Sequence, residues 1–308
     1  METNFKTMRI VSLGLISLLF LWACGSSDQK SEEQDFMQAL DSASSGTPTI
    51  SEEAIGDILQ RIPSPLEISV LLKESGRKYD AGILNDPNNL SKYNTNYKRA
   101  LNLGVYGTDL GYTNIYEQNQ DGLKYISSIK TLADGLNIGQ FFDVETIGRL
   151  AANSRNLDSL LLITTQNFNS INAYLQSQNR ANLSVLLLTG GWIEALHITC
   201  AVAQNSMDNP QLRETIGGQK IILENIILLL SFYKDQDENM AALLADLEAL
   251  KRAYDNVKIT YIYKESTFEV VDGVMVIKDN SSSSIDITSE DIVNITNLTD
   301  SIRNKIIS

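Results

Sequence analysis

Apolar positions recur at three- and four-residue steps through most of this chain. The run Leu90, Tyr93, Tyr97, Leu101, Gly104, Thr108, Gly111, Ile115 marks one face of a long helix, opened by Asp86-Pro87 and broken at Asp121-Gly122. The same spacing predicts helices over 123–136, 141–152, 156–176 and 182–204. Asn209-Pro210 provide the N-cap and first position of a helix to about residue 233, and another covers 237–258, its pattern running on toward 263. Nearer the start, Thr49-Ile50-Ser51-Glu52 reads as a capping box for 49–60, and Ser64-Pro65-Leu66-Glu67 opens 64–74, with Gly76 as its stop. The tail changes period. Two β-rich runs between 268 and 277 flank Asp272-Gly273, a hairpin signal, and Ser281 to Ser284 reads as a link. Thr288-Ser289-Glu290-Asp291 then caps a last helix that turns Ile292, Ile295, Ile302 and Ile306 inward. The expected fold is mainly α: an antiparallel helical array or bundle, with a small C-terminal β-hairpin and a final helix. A lone hairpin is marginal in water, so it is expected to pack on the bundle, pair with itself or meet a partner strand.

Two helices are apolar nearly all round, through Val185-Leu186-Leu187-Leu188 and Ile226-Ile227-Leu228-Leu229-Leu230. Either they are central and fully covered, or they span a membrane. Glu194 and His197 in the first, and Glu224 and Asn225 in the second, are costly in lipid and favour the protein core.

Those polar residues are also the candidate chemistry. Glu194-x-x-His197 places a carboxylate and an imidazole one turn apart, at the spacing used in di-iron carboxylate bundles. His197 is the only histidine, so the second Glu-x-x-His that such a site requires does not exist. Asp109-x-x-Tyr112 repeats the spacing, and Leu101 and Leu103 align with Leu186 and Leu188 at the same offset of 85 residues. A duplicated helical unit would match Asp109 and Tyr112 to Glu194 and His197. A plainer reading makes the 182–204 and 210–233 helices a hairpin, with Glu194 ion-paired to Lys220 and His197 bonded nearby. In that register Gly190 and Gly191 oppose Glu224, where missing side chains could open a cavity. Gly104, Gly107 and Gly111 suggest close helix contact. Seven of the twelve tyrosines lie between Tyr79 and Tyr125. Tyr93, Tyr97 and Tyr112 are candidates for a binding surface, against the alternative of a packed core edge.

Composition narrows the function classes. With 25 basic and 38 acidic residues the net charge is −13, without a Lys/Arg cluster, so nucleic acid binding lacks its electrostatic driving force. No phosphate-binding glycine loop, zinc-protease motif, nucleophile elbow or cysteine pair occurs, and no cofactor is implied. Cys200 lies in an apolar helix and reads as an inert core residue.

The first residues carry the most specific signal. Lys6 and Arg9 precede an apolar run from Ile10 to Phe20, closed by Leu21-Trp22-Ala23-Cys24. This resembles a bacterial lipoprotein signal with its lipobox. The resemblance implies cleavage before Cys24, lipid on that cysteine, and membrane attachment through the lipid; an ordinary cleaved signal with a free Cys24 thiol is the alternative. Gly25 in place of Asp then favours the outer membrane. The acidic stretch Asp28, Glu32, Glu33, Asp35 loosely resembles surface-export signals of Bacteroidota lipoproteins, and Asp41-Ser42-Ala43 fits the short O-glycosylation pattern of that phylum. Removing the signal leaves 23 basic and 37 acidic residues in a chain of 285. An anionic surface would repel that charge, so lipid must supply the anchoring.

The expected organisation is a signal over 1–23, a lipidated cysteine and polar tether over 24–48, a helical domain over 49–264, and a hairpin plus helix over 265–308. The function expected is a non-enzymatic, lipid-anchored envelope module that binds a protein partner or small ligand. Its alternatives are a metal- or acid/base-dependent enzyme using Asp109, Glu194, His197 and Glu224, or a purely structural envelope component. The enzyme requires its four groups to converge.

Overall fold

The computed structural model describes residues 76, 78–143, 157–204, 208–271, 274–278, 280 and 282–308, all within the unit Thr49–Ser308. The expected helices 49–60 and 64–74, and most of 141–152, lie outside the described residues, as do the signal and tether. Gly76 has a φ of 77°, the left-handed conformation suited to a helix stop.

Among the described residues there are seven α-helices: α1 (Asn96–Ile115), α2 (Asn119–Gly135), α3 (Leu157–Ser177), α4 (Ala181–Gln204), α5 (Pro210–Ser231), α6 (Glu238–Ala253) and α7 (Ser289–Ile307). The long helix expected from Asp86 divides in two. Pro87–Lys92 is a 3-10 helix, and α1 starts only after Thr95, whose side chain accepts from the Lys98 N–H. Asn88, Asn89 and Asn94 are weak helix formers, and a threonine cap gives the chain a second start. Asn209 caps α5, with Pro210 at its first position, and Thr288 with Asp291 forms a full capping box on α7, as their sequence motifs imply.

At the centre, α1 and α4 run in parallel. Leu101 meets Gly190, Gly104 meets Leu187 and Gly191, and Thr108 meets Gly191, so partners stay 83 to 89 positions apart along both helices. A Cβ on Gly104 would stand 2.0 Å from the Leu187 carbonyl oxygen, and one on Gly190 2.0 Å from that of Leu101. The glycines therefore serve backbone-to-backbone contact rather than a cavity. Gly107, by contrast, is exposed with nothing near it. Against α4 lies α7, running the opposite way: Asp300 meets His197 and Arg303 meets Glu194. α2 packs along α1, α5 along α4, and α6 along α5 and α7. α4 is long and apolar enough to cross a membrane, yet 83% of its most apolar window is buried inside the protein.

The helix expected over 237–258 ends at Ala253, and β1 (Lys258–Ile262) begins where it was to continue. The tail carries four strands rather than a single hairpin: β1, β2 (Thr267–Val271), β3 (Val274–Lys278) and β4 (Ser282–Asp286). β2 pairs with β3 and β1 with β4, both antiparallel, as two successive stretches of one ribbon. The supposed link around Ser282 to Ser284 is thus β4, its serines paired with Ile262, Tyr261 and Thr260. β-branched Ile259, Thr260 and Ile262 favour extension there, and β4 supplies the missing hydrogen bonds. Between the ladders, the Asn280 side chain donates to the Glu265 carbonyl and Thr267 Oγ1.

Candidate functional site

The candidate residues separate into a buried centre and scattered surface positions. α1 presents Asp109, α4 presents Glu194, and α7 adds Arg303. Both Glu194 oxygens accept from Arg303, at 2.7 Å each, in a bidentate pair with the carboxylate wholly buried. Lys220 is therefore not the counter-ion of Glu194. Its ammonium donates to the Val257 carbonyl at 2.8 Å. Glu194 is ion-paired, but its cation comes from a helix over a hundred residues away in the chain. Burial opposes the guanidinium charge, but the bonds to Glu194 and the nearby charges of Glu194, Asp109 and Asp300 raise the Arg303 pKa.

Asp109 is completely buried. Its Oδ2 accepts the Asn85 N–H at 3.3 Å, while Oδ1 has no donor. Burial first, then the charge of Glu194, raises its pKa well above the usual carboxylate range, with Arg303 opposing. A proton on Asp109 resolves both problems: it removes a second buried negative charge and supplies a donor toward Glu194.

His197 lies one turn further along α4. Nδ1 is 2.7 Å from Asp300 Oδ1, and Nε2 is 3.0 Å from the Ile83 carbonyl. Both ring nitrogens thus lie within hydrogen-bond distance of a protein oxygen. Glu224 is elsewhere, on the exposed face of α5, 3.5 Å from Lys251. Gly190 and Gly191 face α1 rather than Glu224. Asp109 and Glu194 thus meet, His197 is turned to other partners, and Glu224 is apart. Among the described residues, no group of three His, Cys, Asp or Glu side chains could hold a metal ion.

What this centre does hold is the irregular segment 79–93. The Ile83 carbonyl accepts from Arg303 Nη2 at 3.1 Å as well as from His197. Buried Asn85 is the hub. Its N–H reaches Asp109, its carbonyl accepts from the Tyr125 hydroxyl at 3.0 Å, and its amide donates to the Tyr93 hydroxyl at 3.0 Å. The Tyr106 hydroxyl donates to the Asp86 carbonyl at 3.0 Å. The Tyr112 hydroxyl accepts the Asp80 N–H at 3.3 Å, and its ring stacks on Tyr79 and packs against Tyr116. Buried non-helical backbone needs such partners, and this cluster supplies them. Tyr93 and Tyr112 are accordingly core residues, and Tyr97 is half-buried. Sequence reasoning missed Asn85 and Arg303 because neither lies in a motif with the residues it serves.

Two surface features remain. A shallow depression of about 860 Å³ beside α2 is lined by Lys130, Thr131, Asp134, Asn137, Gln140 and Phe142, and holds none of the candidate residues. The ribbon is the other. Its root is clamped to α5: Lys220 holds the Val257 carbonyl, Arg213 donates to the Ile287 carbonyl, and Ile285 packs into the space left by Gly217. Beyond the root, Tyr261 is 63% exposed, Tyr263 71%, Phe268 70% and Met275 69%. Compared with known protein families, curated proteins and solved structures, the chain matches none.

Proposed function

We propose that this chain is a lipid-anchored, non-enzymatic module of the cell envelope whose C-terminal ribbon binds a protein partner. The single observation behind it is the exposed side chains of Tyr261, Tyr263, Phe268 and Met275 on a two-stranded arm clamped at its root. Large apolar and aromatic side chains grouped on a projecting element gain most from burial against another protein. The anchoring rests on Leu21-Trp22-Ala23-Cys24 and the apolar run before it. The internal carboxylates are occupied in holding segment 79–93 and in pairing with Arg303, which supports a structural role for them. Partner capture moves from Tyr93, Tyr97 and Tyr112 to the ribbon, since Tyr93 and Tyr112 are interior.

A photo-crosslinking amino acid at Phe268, in the full chain in its native envelope, should give a discrete protein adduct that the same group at exposed Leu123 does not. Equal or absent adducts at both positions would overturn the reading. Cys24→Ala should leave the protein unlabelled by fatty acid and release it from membranes; membrane retention without label would remove the lipid anchor.

A further inference from the structure

We propose that residues 79–86 form a strap locked by a proton shared between Asp109 and Glu194, and that loss of this proton to water lifts the strap and opens the polar centre. The device goes beyond partner binding by the ribbon and does not depend on it. Among the described residues, the backbone bonds of this stretch are local, such as that from the Leu84 N–H to the Ala81 carbonyl, and none reaches an α-helix. Side chains of the helices hold it instead. Arg303 and His197 meet at the Ile83 carbonyl, and Asp109 accepts the Asn85 N–H. The Tyr125 and Tyr106 hydroxyls donate to the Asn85 and Asp86 carbonyls. A segment held this way can lift without unwinding a helix, as a local unit of unfolding.

The charges beneath the strap balance only with a proton. Asp109 and Glu194 are both wholly buried and within hydrogen-bond reach of each other. Arg303 is the cation beside them, and it directs two bonds to Glu194. Two ionised carboxylates against one guanidinium leave a net negative charge in the core, the situation in which one member of a carboxylate pair keeps its proton. Asp109 Oδ1, buried and without a donor, is the place for it. The other groups facing the pair come from every side. Tyr106 on α1, Tyr125 on α2, and Tyr79 and Tyr93 on the strap side all have raised pKa values, chiefly through burial, and stay protonated through neutral pH. His197 on α4, paired with Asp300 on α7, touches the strap at Ile83 and is the neighbour that needs a control.

With the strap lifted, Asp109 faces water and its pKa returns toward about 3.9. With the strap closed, burial and Glu194 hold it well above that value. Closure therefore takes up a proton. The contribution of that proton to closure is full below about pH 3.9 and is lost as pH rises through the closed-state value, so in between the opening equilibrium grows by up to about tenfold per pH unit.

The test is hydrogen exchange of the full chain between about pH 5 and 8, read by mass spectrometry on peptides spanning 79–86. Rates are corrected for the intrinsic pH dependence of exchange and compared with α6 as an internal reference. Relative protection of the strap should fall in wild type by up to about tenfold per pH unit and stay level in Asp109→Asn, with the helical circular dichroism unchanged. His197→Gln should keep the wild-type slope. The infrared band of a protonated carboxylic acid should persist in wild type at about pH 6, where solvated carboxylates are ionised, and vanish in Asp109→Asn. The wild-type slope and acid band are read without any variant. A level wild-type profile, a wild-type slope in Asp109→Asn, a level profile in His197→Gln, or a wild-type protein without the acid band each overturns the proton lock.

Discussion

Asp109 and Glu194 are two buried carboxylates competing for one cation, and their substitutions should have opposite signs. Glu194→Gln leaves the Arg303 guanidinium buried without its counter-charge and should cost about 3–5 kcal/mol in urea unfolding. Replacing both partners together, as Glu194→Leu with Arg303→Met, should recover most of that loss; additive losses would show that the pair is not the source. Asp109→Asn keeps the hydrogen-bonding shape of the neutral acid. The folded pKa of Asp109 lies above its unfolded value of about 3.9, so the folded state holds a proton that the unfolded state has released. Stability from this group is therefore full below that value and declines as pH rises toward the folded pKa. Asp109→Asn should flatten that decline and match or exceed wild type at neutral pH in thermal melts from pH 4 to 9. A variant with the wild-type slope would show that Asp109 is ionised in the fold.

At the scale of elements, the α1–α4 contact decides how the polar centre is assembled. Gly190→Ala must push a methyl into the Leu101 carbonyl, and backbone cannot swing aside as a side chain can. A loss of about 1–3 kcal/mol is expected in denaturant unfolding, and the same for Gly104→Ala. Gly107→Ala, three residues away on the same helix with open space around it, should instead gain up to about 1 kcal/mol from helix propensity. Equal effects at Gly104 and Gly107 would contradict the close packing. At the ribbon root, Lys220→Met frees the Val257 carbonyl, and trypsin should then cut at Lys258 or Lys264 faster while the helical circular dichroism stays unchanged.

For the whole molecule, the chain buries its polar chemistry and exposes its apolar ribbon. Asp109, Asn85, Glu194 and Arg303 lie in the core, whereas Phe268 and Met275 lie outside it. That inversion supports the proposed interaction surface at the C-terminal ribbon and leaves segment 79–93 as a strap tied down by tyrosine hydroxyls. Deleting residues 263–281 and joining β1 to β4 with a short turn should retain cooperative unfolding of the helical core and remove crosslinking by the ribbon. Loss of cooperative unfolding would make the ribbon part of the core.

Local pattern alone determined the helical class, the starts of α5 and α7, the inward isoleucines of α7 and the strand pair about Asp272-Gly273. Each of these follows from interactions within a few residues: a cap, a proline at the first turn, a helical or two-residue period. The same local rules ran the long helix through Tyr93 and carried the 237–258 helix past Ala253, because both boundaries depend on partners far away in the chain. The offset of 85 made Asp109 and Glu194 visible as counterparts, but not that they would face each other. Only tertiary structure decided that Arg303 rather than Lys220 neutralises Glu194, that Asn85 ties segment 79–93 to α1 and α2, and that Ser282 to Ser284 pair with β1. A buried charge takes whichever cation the packing brings within hydrogen-bond distance, and an unpaired strand takes whichever edge is open; neither choice is encoded in the spacing of the residues that make it.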